Sequence, residues 1–141
     1  LTGMETLGLR MQRHCDNALK VAEWLTQNPK VAWVIYAGLP GDAHHALHKK
    51  YAPKGAGGVF TFGLKGGYEA GVKVVSSVKL FSHLANIGDT RSLIIHPAST
   101  THSQLTPDQL KKAGAGPDVV RLSIGIEDVA DIIADLEQAI G

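Results

Sequence analysis

Seven histidines, one cysteine and an arginine set inside an apolar run are the residues of this sequence best suited to chemistry. His44, His45 and His48 fall in one stretch of expected helix, and the i, i+4 pair His44/His48 is spaced to hold a metal on one face. The spacing supplies no third ligand, and the Glu that a zinc protease places beside its first His is absent. An exposed polar helix face is therefore expected there, with no metal. His14, His83, His96 and His102 are scattered without ligand spacing. Cys15 follows His14 inside a helix and is expected to pack as a small hydrophobe. Ser103 beside His102 has neither an orienting acid nor a nucleophile-elbow context, so nucleophilic catalysis has no support. Gly55-Ala-Gly57-Gly58 leads into a strand, whereas phosphate cradles use a helix amino terminus, and a turn is expected. Gly63-Leu-Lys-Gly66-Gly67 does lead into a helix but lacks the Lys-Ser/Thr that a phosphate loop needs.

Arg121 is different. It interrupts the apolar run Val119-Val-Arg-Leu-Ser-Ile124 on the face shared with Val119 and Ser123, while Val120, Leu122 and Ile124 face the other way. A planar cation with five donors in an apolar neighbourhood wants a carboxylate, supplied either by the fold as an ion pair or by a ligand. Asn86, between Ala85 and Ile87-Gly88, is a second polar residue in an apolar stretch, and it reads equally as a turn residue.

Elements must place these groups. Met4, Leu7, Met11, Ala18, Ala22 and Leu25 recur at helical steps and predict one long first helix, ended by Asn28-Pro29. The β-branched and aromatic run Val31–Tyr36 predicts a strand, closed by Gly38, Pro40 and Gly41. Asp42 is expected to cap a short helix over Ala43–Tyr51. Phe60, Phe62 and Leu64 alternate with Thr61 and Gly63, which predicts a strand with one buried face. A helix over Tyr68–Val78 and short strands at Leu80-Phe81 and Ser92–Ile95 follow. Thr106-Pro107-Asp108-Gln109 carries the capping-box signature of a helix start. Val119–Ile124 is the last strand, and Val129, Ile132, Ile133, Leu136 and Ile140 mark a closing amphipathic helix. The sum is a mixed α/β fold, with long helices at both ends and four or five short strands under helices.

The 141 residues amount to a single domain's worth of chain, and 44% hydrophobic against 19% charged residues suffices for a real core. Fourteen Lys+Arg against thirteen Asp+Glu leave a formal charge of +1, which argues against nucleic acid and anionic membrane as partners. No apolar run approaches the ~18 residues of a membrane span. The single cysteine permits no internal disulfide, which fits a reducing, cytoplasmic setting. The chain opens Leu1-Thr2-Gly3-Met4 with a helix already beginning, and it is expected to be a piece of something longer.

Three motifs occur in order: Leu84-Ala-Asn-Ile-Gly-Asp89, then Ser92-Leu-Ile-Ile-His-Pro-Ala-Ser-Thr-Thr-His-Ser103, then Arg121-Leu-Ser-Ile-Gly-Ile-Glu127. Together with the opening Met4–His14 segment, they make the chain resemble the carboxy-terminal domain of the Cys/Met metabolism family of pyridoxal-phosphate (PLP) enzymes. The resemblance implies the small C-terminal domain of a fold-type-I enzyme: residues 1–141 as one unit, a short, mostly antiparallel sheet of four to five strands covered by helices, and a long first helix. It implies that Arg121 binds the α-carboxylate of an amino-acid substrate, with Asn86 as a second contact and the backbone around Ile87 close by. The cofactor pyridoxal 5'-phosphate, its Schiff-base lysine and its other holders would lie in a large domain outside this chain, since none of the ten lysines stands in the family's Ser-x-Thr-Lys context. The chain alone would then be inactive.

For the parent the resemblance implies γ-replacement, in which O-acetyl-L-homoserine and sulfide give L-homocysteine and acetate, in a homotetramer. Family members that perform γ-elimination tend to carry Ser where Asn86 stands, which favours replacement. Cleavage of methionine, formation of cystathionine, and a free-standing binding module without catalysis are the alternatives. An apolar patch on the first helix is expected where the large domain would meet it.

Overall fold

The computed structural model describes residues 1–141. Two helices open the chain, α1 (Thr2–Glu5) and α2 (Leu7–Gln27), followed by β1 (Val31–Ile35), α3 (His45–Tyr51), β2 (Val59–Leu64) and α4 (Gly67–Ser77). The remainder is β3 (Ser82–His83), β4 (Leu93–Ile95), a 3-10 turn over Pro97–Ser99, α5 (Pro107–Lys112), β5 (Val119–Ser123) and α6 (Val129–Ile140). The strands form one five-stranded sheet in the order β1-β2-β5-β4-β3, antiparallel except for the β3–β4 pair. The last strand in sequence therefore lies at the centre.

Register explains the layering. Phe60 faces Leu122 and Phe62 faces Val120 across β2 and β5, and Ile94 faces Leu122 across β4 and β5. All five are buried, together with Ala18, Val21 and Leu25 of α2, Val74 and Val75 of α4, and Ile132 and Leu136 of α6. Helices α2, α4 and α6 thus cover one face of the sheet. The strand alternation sends the intervening residues to the opposite face: Trp33 and Ile35 of β1, Thr61 and Gly63 of β2, and Arg121 and Ser123 of β5. Ile35 is 54% exposed there.

Several expectations shift. The first helix is broken at Thr6, and its apolar stripe is buried only from Ala18 onward, while Met4, Leu7 and Met11 stay exposed. Asp42 does not cap α3. Its carboxylate accepts from the Tyr36 and His44 amides, so His44 takes the N-cap position and the helix begins at His45. Leu80-Phe81 is not a strand, because Asp135 of α6 binds the amides of Lys79, Leu80 and Phe81 and removes them from any ladder. Pairing resumes at Ser82. The capping box forms: the Thr106 side chain accepts from the Gln109 amide, and the Gln109 side chain accepts from the Thr106 amide. No helix is long and apolar enough to cross a membrane.

Candidate functional site

Arg121 lies midway along β5, and its register neighbours are Thr61 on β2 and Ile95 on β4, with Ile35 next in the same row. The strand is there because Val120 and Leu122 are fully buried beneath the helices, and that burial forces Arg121 onto the opposite face. Its side chain is half-buried, and no Asp or Glu lies within 4.0 Å of it: the only ion pairs are His44–Asp42 and Arg91–Asp89. One donor, Nη2, is used, reaching the Asn86 carbonyl at 3.0 Å. The remaining guanidinium donors have no partner within the chain, and this excludes an internal ion pair here. A half-buried cation with a free donor fork is suited to a planar anion, a carboxylate above all.

Asn86, 35 residues away in sequence, is thereby brought onto Arg121. Its side-chain Oδ1 accepts from the Ile87 amide at 2.8 Å, which fixes the amide group and leaves its two N–H donors without a partner. The Ile87 amide is consumed by that bond, and its side chain stands 69% exposed. Gly88 has φ of 77°, a conformation that favours glycine, and it lets the chain turn into Asp89. The Arg91 amide and guanidinium both bind the Asp89 carboxylate and hold its pKa below the ordinary aspartate value, the backbone bond being the larger cause. The three residues singled out from sequence therefore meet at one place, where the loop carrying Asn86 and Ile87 passes over Arg121 on β5. Thr61 joins them: its cross-strand position puts a hydroxyl without a hydrogen-bond partner beside Arg121. The alternation of β2 assigned Thr61 to the non-core face, but only the pairing of β2 with β5 reveals its neighbour.

A cavity of about 180 Å³ adjoins this loop, lined among others by Met11, His14, Gly58, Ile87 and Ser123. His14 itself is structural: Nδ1 donates to the Ile124 carbonyl at 2.6 Å, and the residue is 2% exposed. His96 is likewise buried, bonded to Ser99 Oγ and to the Pro117 carbonyl. His45 donates to the Ala37 carbonyl, and nowhere do three His, Cys, Asp or Glu side chains converge to hold a metal. All ten lysines are exposed.

Residues 1–141 match the family described as Cys/Met metabolism PLP-dependent enzyme. The chain is 56% identical over 140 residues to O-acetyl-L-homoserine sulfhydrylase 1 of Thermus thermophilus, covering 99% of this chain and 33% of that protein. It is 53% identical to the O-acetyl-L-homoserine sulfhydrylase of Leptospira meyeri and 50% identical to the homocysteine synthase of Schizosaccharomyces pombe. It spans about a third of the length of these relatives. A crystal structure of a Campylobacter jejuni protein named as an O-acetylhomoserine (thiol)-lyase, which contains a pyridoxyl-lysine monophosphate, superposes with a TM-score of 0.92 at 47% identity, over 99% of this chain and 33% of that one. Matched over its whole length by the family model, and identical at half or more of its aligned positions to these curated relatives, the chain belongs to the Cys/Met metabolism family of PLP-dependent enzymes.

Proposed function

We propose that residues 1–141 form the substrate-carboxylate-binding, carboxy-terminal domain of a PLP-dependent transferase that makes L-homocysteine and acetate from O-acetyl-L-homoserine and sulfide. The names of the similar sulfhydrylases support the reaction. The observation that carries the domain's part in it is Arg121, a half-buried guanidinium with no acidic partner, set beside the free amide of Asn86 and the hydroxyl of Thr61.

The residues of this chain do not fit the cofactor itself. A Schiff-base lysine is normally desolvated, whereas every lysine here is exposed, so no step is assigned to this chain beyond binding and orienting the substrate. Arg121 takes the two carboxylate oxygens on its free donors. The Asn86 amide adds a donor at the rim, and together they fix the amino and Cα groups toward whatever completes the site. The reading extends to a homotetramer in a reducing, cytoplasmic setting. The lone Cys15 and the apolar side chains of Met4, Leu7 and Met11 left open on α1 and α2 support it.

The test is made in the full-length enzyme. Arg121→Ala removes charged hydrogen bonds worth roughly 1.5–3 kcal/mol, so KM for O-acetyl-L-homoserine rises about 10- to 100-fold while the resting cofactor absorption is unchanged. Arg121→Lys recovers only part of the loss, because a point charge lacks the two-pronged geometry. Wild-type kcat/KM in the alanine variant would sink the assignment.

A further inference from the structure

The loop that brings Asn86 onto Arg121 is fastened at its far end by an acid outside the substrate contacts. Glu127 follows β5, four residues beyond Ser123. Its Oε1 accepts from the Ser92 amide at 2.6 Å, and its Oε2 accepts from the Ser92 hydroxyl at 2.9 Å. The same hydroxyl accepts from the Gly125 amide at 2.9 Å, and the Ile126 amide donates to the Thr90 carbonyl at 2.9 Å. Ser92 is fully buried, and Glu127 has no Lys, Arg or His within 4.0 Å, so neutral donors alone hold this carboxylate. The turn is itself anchored to α2: the Asn17 side chain donates to the Gly125 and Glu127 carbonyls at 3.1 and 2.9 Å, and Arg13 donates to the Glu127 carbonyl at 3.2 Å. Space is tight as well. A Cβ on Gly125 would run into Glu127 Oε2, the Thr90 carbonyl and the Arg91 backbone.

These bonds close a ring. From Arg121 the path runs along β5 to Glu127, across to Ser92, back through the loop to Asn86, and by the Asn86 carbonyl to Arg121 again. Between Asn86 and Ser92 the loop is bonded to the rest of the chain only by the Ile126–Thr90 bond beside Ser92, so its height above the sheet depends on its two ends. That height decides how many guanidinium donors the Asn86 carbonyl occupies, and so how many remain for a substrate. We propose that Glu127 is a positioning residue for amino-acid recognition: by clamping Ser92 it limits the Asn86 carbonyl to one Arg121 donor and leaves the rest of the fork free. The inference rests on the assignment of Arg121 to the substrate carboxylate.

The test compares Glu127→Gln with wild type in the full-length holoenzyme. Two probes are used: O-acetyl-L-homoserine and 3-aminopropyl acetate, the same molecule without its carboxylate. Glutamine keeps the size but offers one acceptor oxygen in place of two, so the clamp on Ser92 is weakened. The expected result is about a tenfold rise in Kd, read from the cofactor absorption, and in KM for the amino acid, with kcat held within about twofold and binding of the amine unchanged. Ser92→Ala, which keeps the amide bond to Glu127 but loses the hydroxyl's bonds to Glu127 and Gly125, shifts the same ratio by a smaller factor and serves if the glutamine variant does not fold. Equal weakening of both probes, or none, overturns the positioning role. Arg121→Ala run alongside separates the two ideas. Selective loss of the amino acid in that variant, without selective loss in Glu127→Gln, removes only the role of Glu127, whereas no selective loss in either removes the carboxylate assignment itself.

Discussion

At the scale of single residues, what distinguishes Arg121 is the company it lacks. Of four arginines only Arg91 is paired with an acid, Asp89, and only Arg121 stands within the sheet, where its one partner is a backbone carbonyl. An unpaired cation held partly out of water is a standing cost, so it points to a ligand rather than to stability. Asp89 makes the complementary case. Its lowered pKa means that the ionised form is favoured in the folded loop, so the turn it makes with Arg91 is fully supported above the ordinary aspartate range and loses that support as pH falls through the lowered value. The Arg91 side chain is largely exposed and Asp89 bonds only within its own turn, so the effect is local. Titration of the Asp89 carboxyl by NMR should show a midpoint below that of an ordinary aspartate, and Arg91→Ala should raise it; an unshifted midpoint in the native chain would contradict the geometry.

At the scale of elements, α6 does more than cover the sheet. Asp135 is 7% exposed and accepts three backbone N–H bonds, from Lys79, Leu80 and Phe81, at 2.8, 2.8 and 3.1 Å. It thereby fixes where α4 stops and where the segment leading to β3 and the Asn86 loop begins. Asp135→Ala strands buried donors at about 1–3 kcal/mol each, so the urea midpoint should fall by the equivalent of at least about 2 kcal/mol at unchanged m-value. Asp135→Asn, which keeps one acceptor oxygen, should lose less. If the two variants unfold together, the three-amide arrangement is wrong. The segment carrying Asn86 is thus held at its start by Asp135 and at its end by Glu127, both drawn from the last third of the chain.

At the scale of the whole molecule, the sheet carries α2, α4 and α6 on one side and the candidate site on the other. That polarity suits a domain presenting a carboxylate-binding face to something larger, and Ile35, Ile87, Met4 and Met11 are apolar side chains left open with it. Because no lysine is sequestered, the chain expressed alone and mixed with pyridoxal phosphate should yield a colourless protein after gel filtration, with no turnover of O-acetyl-L-homoserine. A stoichiometric cofactor band retained by residues 1–141 would overturn the assignment of cofactor binding to another part of the parent.

Much of this was written in local pattern. The alternation at Phe60, Phe62 and Leu64, the capping box at Thr106, the amphipathic spacing of α6 and the lone arginine in the Val119–Ile124 run each depend on neighbours two to four positions away, so sequence alone determined them. It also carried the family motifs, and with them Asn86 and Arg121 as candidates. What it left open were partnerships between distant segments: whether Arg121 had an acid to pair with, that β5 sits at the centre of the sheet, that Thr61 stands beside Arg121, and that Glu127 and Asp135 spend their carboxylates on amides 35 and 54 to 56 residues away. Those bonds depend on strand order and crossover, which local periodicity does not encode. The same competition moved Asp42 from its expected cap to the Tyr36 amide and kept Leu80-Phe81 out of the sheet. Only the tertiary structure decided that no carboxylate reaches Arg121 inside the sheet and that its one partner is the Asn86 carbonyl.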